Sequence, residues 1–477
     1  MSDVLIADRK TSDVHGASPL DASAVETFAQ DLRGYLVRPG DADYDEARSV
    51  WNAMIDRQPA LIARCSGVAD VIEAVRFAKH HGLPLAVRGG GHNIGGSGVC
   101  DGGLVVDLSA MRAVRVDPQA RRARVQGGAT LGDLDHETQA FGLATPGGVV
   151  STTGVAGLTL GGGFGWLSRK FGLAADNLLS ADVVTAEGTL LHVSTDEDPD
   201  LFWGLRGGGG NFGVVMDFEF ALHEVGPTVL FGPTIYRLED AAEALANYRD
   251  FARTAPNDCC AWADLMTAPS LPFLPEAYHG TKVLSILQLY AGDPRDGEAV
   301  LAGLRGHGNP IADAVAPTRF TEAQSRLDLV YDKGFRNYWK SHNFTALSDA
   351  TIAGLLRMAE ALPTPQSDIL ISQVGGAIND VAPDATAYPH RDTAFVLTPG
   401  ARWQDPALDD ACMTWTRVGI DALAGQSTGG AYVNFIAEDE GRERNAYGAN
   451  YERLAALKAK YDPTNLFRFN QNVKPAT

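Results

Sequence analysis

A short glycine-rich stretch that ends in a histidine has the clearest chemical potential in this sequence. Residues 88–93 read Arg-Gly-Gly-Gly-His-Asn, and Gly95 follows two residues later. Glycine adopts backbone conformations closed to other residues and lets the main chain approach a flat or phosphorylated ligand closely. The imidazole of His92 is a usable nucleophile near neutral pH. His92 is therefore the first candidate functional residue; the alternative is a mobile surface turn with a solvated histidine.

A second unusual stretch follows about fifty residues later. Residues 145–165 are rich in glycine and in small hydroxyl residues. The exposed backbone N–H groups of such a segment suit a diphosphate, which a nest of amides can hold. One stretch alone could be a tight, buried turn cluster. Two of them in one chain favour a cofactor cradle.

The flanking sequence predicts rigid elements that position the first stretch. A helix beginning near Ser66 has apolar residues on one face, and strands are predicted at residues 83–87 and 103–108. A glycine loop between two core strands is a rigid mount. Hairpins are predicted at residues 113–126 and 182–193, so the first half of the chain is expected to be α+β.

One glycine motif is dismissed as a nucleotide site. Gly208, Gly210 and Gly213 match the G-x-G-x-x-G spacing of dinucleotide-binding folds. That fingerprint requires a helix after the glycines, whereas residues 214–220 alternate as a strand does. A Rossmann-type NAD site is therefore excluded.

Composition narrows the class of protein. The 477 residues are 45% hydrophobic, enough for two or three globular domains, and 40 basic against 59 acidic residues give a net charge of −19. This charge argues against a nucleic-acid or anionic-membrane partner. Five cysteines without a CxxC pair indicate neither a disulfide framework nor a zinc site, so no metal is expected. The polar N-terminus and the lack of a long apolar run predict a soluble, cytoplasmic protein. The sequence does not indicate the oligomeric state.

The pattern of predicted elements changes between residues 225 and 430, where helices alternate with strands. Helices are predicted at residues 238–253, 296–304 and 348–362, and strands at 283–290 and 369–374, which suggests a sheet with helices on one face. An aromatic cluster of Phe335, Tyr338 and Trp339 is interpreted mainly as core, with substrate stacking as the alternative. After it, Tyr447, Tyr451, Leu454, Leu457 and Tyr461 are predicted to share one face of a helix that ends before Pro463.

These motifs together resemble one known family. They comprise residues 88–93, residues 147–165, Asp176-Asn177, the Trp203–Gly213 segment and the Tyr461–Asn472 segment. In this order they resemble the berberine-bridge-enzyme-like FAD-linked oxidases of the vanillyl-alcohol-oxidase superfamily. The resemblance implies an α+β fold: a PCMH-type FAD-binding domain and an inserted α+β substrate domain with an antiparallel sheet covered by helices. The implied organisation is a polar extension (1–30), the FAD-binding domain (31–224), the substrate domain (225–430) and a C-terminal return segment (431–477).

The resemblance also assigns the cofactor contacts. It implies FAD bound covalently through His92, which can add to the electrophilic 8α-methyl position of the flavin. Many relatives have a second link from a cysteine, but the matching position here is Val150, so a single link is predicted. Cys100 lies outside that motif and is interpreted as a small buried residue. The predicted cofactor-binding residues are Arg88, Gly89, Gly90, Gly91, His92, Asn93, Gly95, Gly148, Thr152, Thr153, Gly154, Gly157, Gly162, Gly163, Gly165, Asn177, Val215, Asn470 and Asn472.

The catalytic base is where the chain departs from the family pattern. Relatives use a tyrosine or a glutamate, and the matching positions here are predicted to be Phe435 and Leu397. Tyr432 is the remaining phenol of that motif and the predicted acid–base residue, with Asn434 as a neighbour of the flavin; a buried, purely structural Tyr432 is the alternative. Gln373 and Asp380 are weaker candidates.

The resemblance implies an oxidase. Thr153 lies where the family's oxygen-gating side chain falls, and its size, similar to that of valine, indicates access for O2. We therefore expect oxidation of an alcohol or amine carbon of a small sugar, alkaloid or natural-product intermediate by hydride transfer to flavin N5, with O2 reduced to H2O2. The alternatives are a dehydrogenase of the same fold with another acceptor and a flavin-binding protein without turnover.

Overall fold

A computed structural model describes residues 20–437 and 441–477, and its N-terminal domain is built on two sheets. The helices of this domain are α1 (Ala22–Asp31), α2 (Tyr44–Arg48), α3 (Val68–His80), α4 (Leu131–Gln139), α5 (Val155–Leu160), α6 (Ser168–Phe171) and α7 (Pro199–Leu205). Its strands are β1 (Tyr35–Val37), β2 (Leu61–Arg64), β3 (Leu85–Arg88), β4 (Leu104–Asp107), β5 (Val114–Asp117), β6 (Arg122–Gln126), β7 (Leu143–Ala144), β8 (Leu178–Val184), β9 (Leu190–Ser194), β10 (Val214–Ala221) and β11 (His223–Glu224).

The first sheet holds the predicted glycine loop between two core strands. Its order is β1-β2-β4-β3, and β4 pairs in parallel with both β2 and β3. All four residues of β4 are buried, as expected for a central parallel strand. The loop from β3 to β4 carries residues 89–103 out of the end of this sheet. The predicted rigid mount is therefore confirmed.

The second sheet contains both predicted hairpins. Its order is β5-β6-β10-β8-β9, with β5 paired to β6 and β8 paired to β9 in antiparallel fashion. β10 is the strand that follows Gly213, which confirms that the glycines before it do not open a helix. The small β7–β11 pair lies outside both sheets.

The inserted domain is one large sheet covered by helices. Its strands are β12 (Thr228–Arg237), β13 (Cys259–Thr267), β14 (Lys282–Tyr290), β15 (Ala312–Asp313), β16 (Ala316–Arg319), β17 (Arg336–Trp339), β18 (His342–Phe344), β19 (Asp368–Gln373) and β20 (Phe395–Trp403). Its helices are α8 (Ala241–Ala252), α9 (Pro294–Arg305), α10 (Phe320–Gln324), α11 (Asp349–Glu360) and α12 (Asp409–Leu423). The order β15-β12-β14-β13-β19-β20-β17 is antiparallel throughout these pairings.

Strand alternation gives this sheet two different faces. Ile369, Ile371 and Leu397 pack against α8 and α11. The opposite face carries Trp262 and Val396, which cluster with residues of the N-terminal domain. Because side chains alternate along a strand, every second residue of β13, β19 and β20 points toward the N-terminal domain. That face forms one wall of the site described below.

The C-terminal segment returns to the N-terminal domain as two helices, α13 (Glu443–Tyr447) and α14 (Tyr451–Tyr461). The prediction of one continuous helix is wrong at Gly448, whose φ of 47° interrupts it. Tyr447 and Leu454 nevertheless join the same core cluster as the N-terminal sheet residues Val125 and Phe218.

The N-terminal end of the domain differs from the prediction. Residues 1–19 of the predicted extension lie outside the described residues. Residues 22–31 form α1, whose Phe28 is buried and stacks on Phe77 of α3 at 4.3 Å between ring centroids. Residues 22–30 therefore do not belong to a polar extension as predicted, because the apolar residues of α1 are part of the domain core. Within residues 20–437 and 441–477, no helix has both the length and the apolar character needed to cross a membrane.

Candidate active site

A cavity between the two domains collects most of the residues singled out in the sequence. Its wall includes both glycine stretches, the loop before β10, the C-terminal segment and the inner face of the inserted sheet. The predicted residues that line it are Arg88, Gly89, Gly90, Gly91, His92, Asn93, Gly148, Thr153, Gly154, Gly157, Val215, Tyr432, Asn434 and Asn470. Residues scattered over 400 positions of the chain thus meet at one place.

The two glycine stretches touch each other through their backbones. A Cβ on Gly90 would lie 2.5 Å from the backbone N of Gly154, and a Cβ on Gly154 would lie 2.5 Å from the N of Gly90. No side chain fits at either position. Among the described residues, the backbone N–H groups of residues 90–93 donate to no protein acceptor. This pair of loops therefore presents free amides to the cavity, as a diphosphate-bearing cofactor requires.

His92 is held at the junction of the two loops. Its ring stacks on Trp51 with centroids 4.7 Å apart, and its Nε2 lies 3.3 Å from Thr152 Oγ1. Burial lowers the pKa of His92 to about 4. The imidazole is therefore neutral at physiological pH, which is the protonation state a nucleophile needs.

Seven predicted cofactor residues do not line the cavity: Gly95, Thr152, Gly162, Gly163, Gly165, Asn177 and Asn472. Several of them shape the loops instead. Gly162 and Gly163 have φ of 108° and 77°, and a Cβ on Gly165 would lie 2.5 Å from Gly147 O. The Asn177 amide donates to the carbonyls of Phe171 and Leu173. The resemblance predicted that these residues bind the cofactor. In the structure they lie behind the cavity wall, where several of them fix the shape of the loops.

The polar side chains of three predicted residues, Arg88, Asn470 and Asn472, differ in what they bind. Arg88 forms a two-pronged ion pair with Asp107 across β3 and β4, with Nη2 2.6 Å from Oδ2, which fixes the start of the glycine loop. Asn470 donates to Gly210 O, but its Oδ1 and that of Asn472 are buried without a partner among the described residues. Buried carbonyl oxygens almost always have a donor, so the oxygen of Asn470, which lines the cavity, fits a cofactor that brings one.

Val150 and Cys100 occupy different environments. Val150 lines the cavity in a cluster with Trp51 and Tyr331. Cys100 is fully buried against β3 and β4, and burial raises the pKa of its thiol to about 12. A protonated thiol inside the core is a poor nucleophile. This agrees with interpreting Cys100 as a core residue.

Tyr432 and Asn434 form a polar pair against the second glycine stretch. The Tyr432 hydroxyl accepts hydrogen bonds from Gly163 N at 3.2 Å and from Asn434 Nδ2 at 2.9 Å. Burial raises the pKa of Tyr432 to about 12. Its phenol is therefore neutral, with its own proton free for donation into the cavity. A role in catalysis stays a prediction, and donation of a hydrogen bond suits this phenol better than proton abstraction.

The wall opposite the glycine stretches is aromatic. Trp339 packs edge-on against Trp51, Tyr331 and Phe435 at centroid distances of 5.4, 5.7 and 5.7 Å. Of the predicted aromatic cluster, only Trp339 lines the cavity; Phe335 stacks under Arg402 and Tyr338 packs on the other face of β17. The Trp51 indole, which stacks on His92, also donates to Tyr331 O at 2.9 Å. This hydrogen bond connects the aromatic wall to the His92 side of the cavity.

The weaker base candidates do not reach the cavity. Gln373 faces α8, where its Nε2 donates to Ala252 O, and Asp380 is exposed. Leu397 also faces the helices, on the side of the sheet away from the cavity. Phe435 does line the cavity.

Three polar residues beside the cavity were not predicted from the sequence. They are Asp264 on β13, Asp368 on β19, and Tyr331, which precedes β17. Tyr331 lines the cavity and donates to Asp368 Oδ2 at 2.8 Å. A signal was available, since each aspartate stands in an otherwise apolar strand, where a carboxylate is rare. Only the pairing of the strands shows that the two lie on the same face.

The fold and the cavity define a flavoprotein of the FAD-linked oxidoreductase class. Residues 59–194 match the model of an FAD-binding domain, and residues 431–474 match the model described as berberine and berberine-like. The chain is 33% identical to (R)-6-hydroxynicotine oxidase of Paenarthrobacter nicotinovorans over 93% of this chain and 97% of that protein. It is 28% identical to chitooligosaccharide oxidase of Gibberella zeae, covering 96% of each.

A solved structure supports the same grouping. The 6-hydroxy-D-nicotine oxidase of Arthrobacter nicotinovorans superposes with a TM-score of 0.85 at 30% identity, covering 93% of this chain and 98% of that one. The chain therefore belongs to the berberine-like family of FAD-linked oxidoreductases. This confirms the family, the α+β fold with a PCMH-type FAD-binding domain, and the enzyme class that the motifs predicted.

Proposed function

We propose that the protein is an FAD-dependent oxidase that holds its cofactor through a single covalent bond from His92. The observation that carries this proposal is the placement of a neutral imidazole in the cavity wall where the two glycine loops meet. Stacking on Trp51 and the contact with Thr152 fix the ring plane. A positioned, unprotonated nitrogen is the nucleophile that such a link needs.

The remaining wall fits the rest of the cofactor. The free amides of the glycine loops suit the diphosphate, and the unpaired Oδ1 of Asn470 can accept a hydrogen bond from a ring N–H. Val150 offers no thiol at the position of the second link, and the buried Cys100 lies elsewhere. One link through His92 is therefore the arrangement that we propose.

The substrate that we propose is a small ring compound oxidised at an alcohol or amine carbon, such as a sugar, an alkaloid or another natural-product intermediate. Trp262, Trp339 and Phe435 supply flat apolar surfaces on the side of the inserted domain, and rings stack on such surfaces. The related proteins named for hydroxynicotine and chitooligosaccharides point to the same range. Bound FAD would take a hydride from the substrate and pass the electrons to O2, giving H2O2.

Substitution of Tyr432 tests whether its hydroxyl contributes to the reaction. We expect Tyr432→Phe to slow flavin reduction about fivefold, because one hydrogen bond to the substrate is lost, which is worth about 1 kcal/mol. The pH profile should stay unchanged, since the phenol is neutral over the usual range. Stopped-flow reduction of the flavin between pH 6 and pH 9 measures both. A loss of a hundredfold or more together with a vanished pH step would instead assign proton abstraction to Tyr432.

Substitution of Thr153 tests whether O2 is the electron acceptor. Thr153 lines the cavity, so Thr153→Leu should fill the space through which O2 arrives. We expect reoxidation of the reduced flavin by O2 to slow at least about tenfold, a barrier increase of about 1.4 kcal/mol, with flavin reduction unchanged. Thr153→Val, which keeps the shape, is the matched control. Slow reoxidation of the unmodified protein would favour a dehydrogenase with a different acceptor.

A substrate panel separates the enzyme from a flavin-binding protein without turnover. Loss of the oxidised flavin absorbance under anaerobic conditions is the readout, and a single compound that reduces the flavin excludes the binding protein. 6-Hydroxynicotine and chitobiose are the first probes, because they represent a ring amine and a sugar.

A further inference from the structure

The cavity face of β20 offers no carboxylate to act as a base. Strand alternation places Val396, Thr398 and Gly400 on that face. A Cβ on Gly400 would lie 2.8 Å from Asp368 Oδ1 on the neighbouring strand β19. The missing side chain of Gly400 therefore leaves room for the carboxylate of Asp368. A carboxylate is present at this place, but a different strand provides it.

Tyr331 connects this carboxylate to the cavity. Its hydroxyl donates to Asp368 Oδ2 at 2.8 Å, and its ring lines the cavity beside Leu370. Tyr331 and Asp368 are only 6% and 7% exposed, so the contact is shielded from bulk water. Asp368 is not part of the cavity wall. A proton from a bound molecule would therefore reach Asp368 through the Tyr331 hydroxyl.

A second carboxylate stands next to the first. Asp264 pairs with Leu370 and Met266 pairs with Asp368, so the two aspartates are diagonal neighbours on one face of the sheet. Burial raises the pKa of Asp368 to about 7, while the Tyr331 hydrogen bond and the Arg402 charge act in the opposite direction. Burial and the negative charge of Asp368 raise the pKa of Asp264 further. Beyond these groups, Asp332 is the charged residue that faces Arg402.

Unpaired polar atoms surround the buried pair. Thr398 is 3% exposed, and its Oγ1 has no hydrogen-bond partner among the described residues. It pairs with Leu370, which lines the cavity, but Thr398 itself does not line it. Asp264 Oδ1 likewise has no partner in the described part of the chain. Tyr331 therefore connects this buried polar patch to the cavity.

We propose that Tyr331 and Asp368 form the proton relay of this active site, an inference that rests on the oxidase function proposed above. The O–H or N–H bond of the substrate breaks, and its proton moves to the Tyr331 oxygen while the Tyr331 proton moves to Asp368 Oδ2. The carboxylate thereby becomes a carboxylic acid. The neighbouring C–H bond breaks as its hydride leaves to the bound FAD, and a C=O or C=N bond forms. Asp264 is a positioning residue that keeps its own proton, because burial and the negative charge of Asp368 raise its pKa.

The first test needs no substrate. Infrared difference spectra of the holoenzyme, recorded as a pH titration, should show a carboxylic acid C=O band that loses intensity as the pH rises through about 7. Asp368→Asn should remove this step, and Asp264→Asn should leave it near the same pH, because an amide replaces a carboxylic acid that is already neutral. Asparagine has the size of aspartate and carries no charge, so both variants are expected to fold.

The second test follows the relay during the reaction. With 6-hydroxynicotine and chitobiose as probes, stopped-flow reduction of the unmodified flavoprotein should accelerate with pH up to a plateau above about 7, because the acceptor must be a carboxylate. Asp368→Asn and Tyr331→Phe should each lower the plateau rate on the order of 10²–10⁴-fold and abolish the pH step. Asp264→Asn should keep most of the rate and leave the step near the same pH. Tyr338→Phe, on the opposite face of β17, is the matched control.

The outcomes separate the relay from the proposed function. An unchanged rate and pH step in Asp368→Asn, or an infrared step that persists in that variant, would overturn the relay. If neither probe nor any compound of the panel reduces the flavin, the oxidase proposal fails. The infrared titration then still decides the protonation of Asp368: its expected step supports the acceptor assignment, and its absence overturns it.

Discussion

His92→Ala is expected to release all of the flavin when the protein is denatured in acid. The imidazole is the proposed nucleophile and lines the cavity at the junction of both glycine loops, and the thiol of Cys100, whose pKa is raised to about 12, cannot replace it. After acid precipitation, the unmodified protein should keep the yellow colour in the pellet. The variant should leave it in the supernatant.

A kinetic effect should accompany the loss of the bond. An imidazole attached to the flavin withdraws electrons and makes the ring a stronger oxidant, so the variant reconstituted with FAD should be reduced at least about tenfold more slowly, a barrier change of about 1.4 kcal/mol. His136→Ala, at a side chain that is 84% exposed, is the matched control and should retain the bond. Colour that stays in the His92→Ala pellet would assign the link to another residue, and colour lost from the unmodified protein would refute the link altogether.

Asp462→Asn is expected to destabilise the whole protein by about 3–5 kcal/mol. Lys458 and Asp462 are both fully buried in α14 and the turn after it, with Nζ 2.7 Å from Oδ2. The ammonium also donates to Asn211 O and Phe467 O, so it ties the C-terminal segment to the loop before β10. Removing the carboxylate charge leaves a buried ammonium without a counter-ion. That uncompensated charge is the source of the cost.

The flavin site should respond to the same change. Asp462 also accepts hydrogen bonds from Leu466 N and Phe467 N, which shape the turn that leads to Asn470. Urea unfolding followed by flavin fluorescence and by circular dichroism measures both effects. Glu452→Gln, which removes an exposed ion pair with Arg444, is the control and should change little. Replacing both Lys458 and Asp462 by apolar residues should restore part of the stability, whereas an unchanged midpoint in Asp462→Asn would contradict the buried-pair argument.

The sequence alone determined the elements that depend on short-range physics. Glycine runs have few other uses, so residues 88–93 and 147–165 could be recognised as loops that approach a ligand. Apolar periodicity gave α3, α8, α9 and α11, and alternation with turn residues gave the β5–β6 and β8–β9 hairpins. The ordered motifs were specific enough to identify the family. Which face of β20 meets the cavity could not be predicted, because no short-range signal shows which face of a strand is covered by helices.

Tertiary structure decided which of these residues meet. The contact of Gly90 with Gly154, the stacking of Trp51 on His92 and the relay from Tyr331 to Asp368 join positions 37 to 64 residues apart. A pKa depends on burial and on neighbours, so neither the neutral state of His92 nor the elevated pKa of Asp368 could be read from their residue types. Strand pairing across β13, β19 and β20 fixes which carboxylates share a face. The sequence thus determined that a flavin is bound and where its loops lie, whereas only long-range packing decided which side chains surround the reacting atoms.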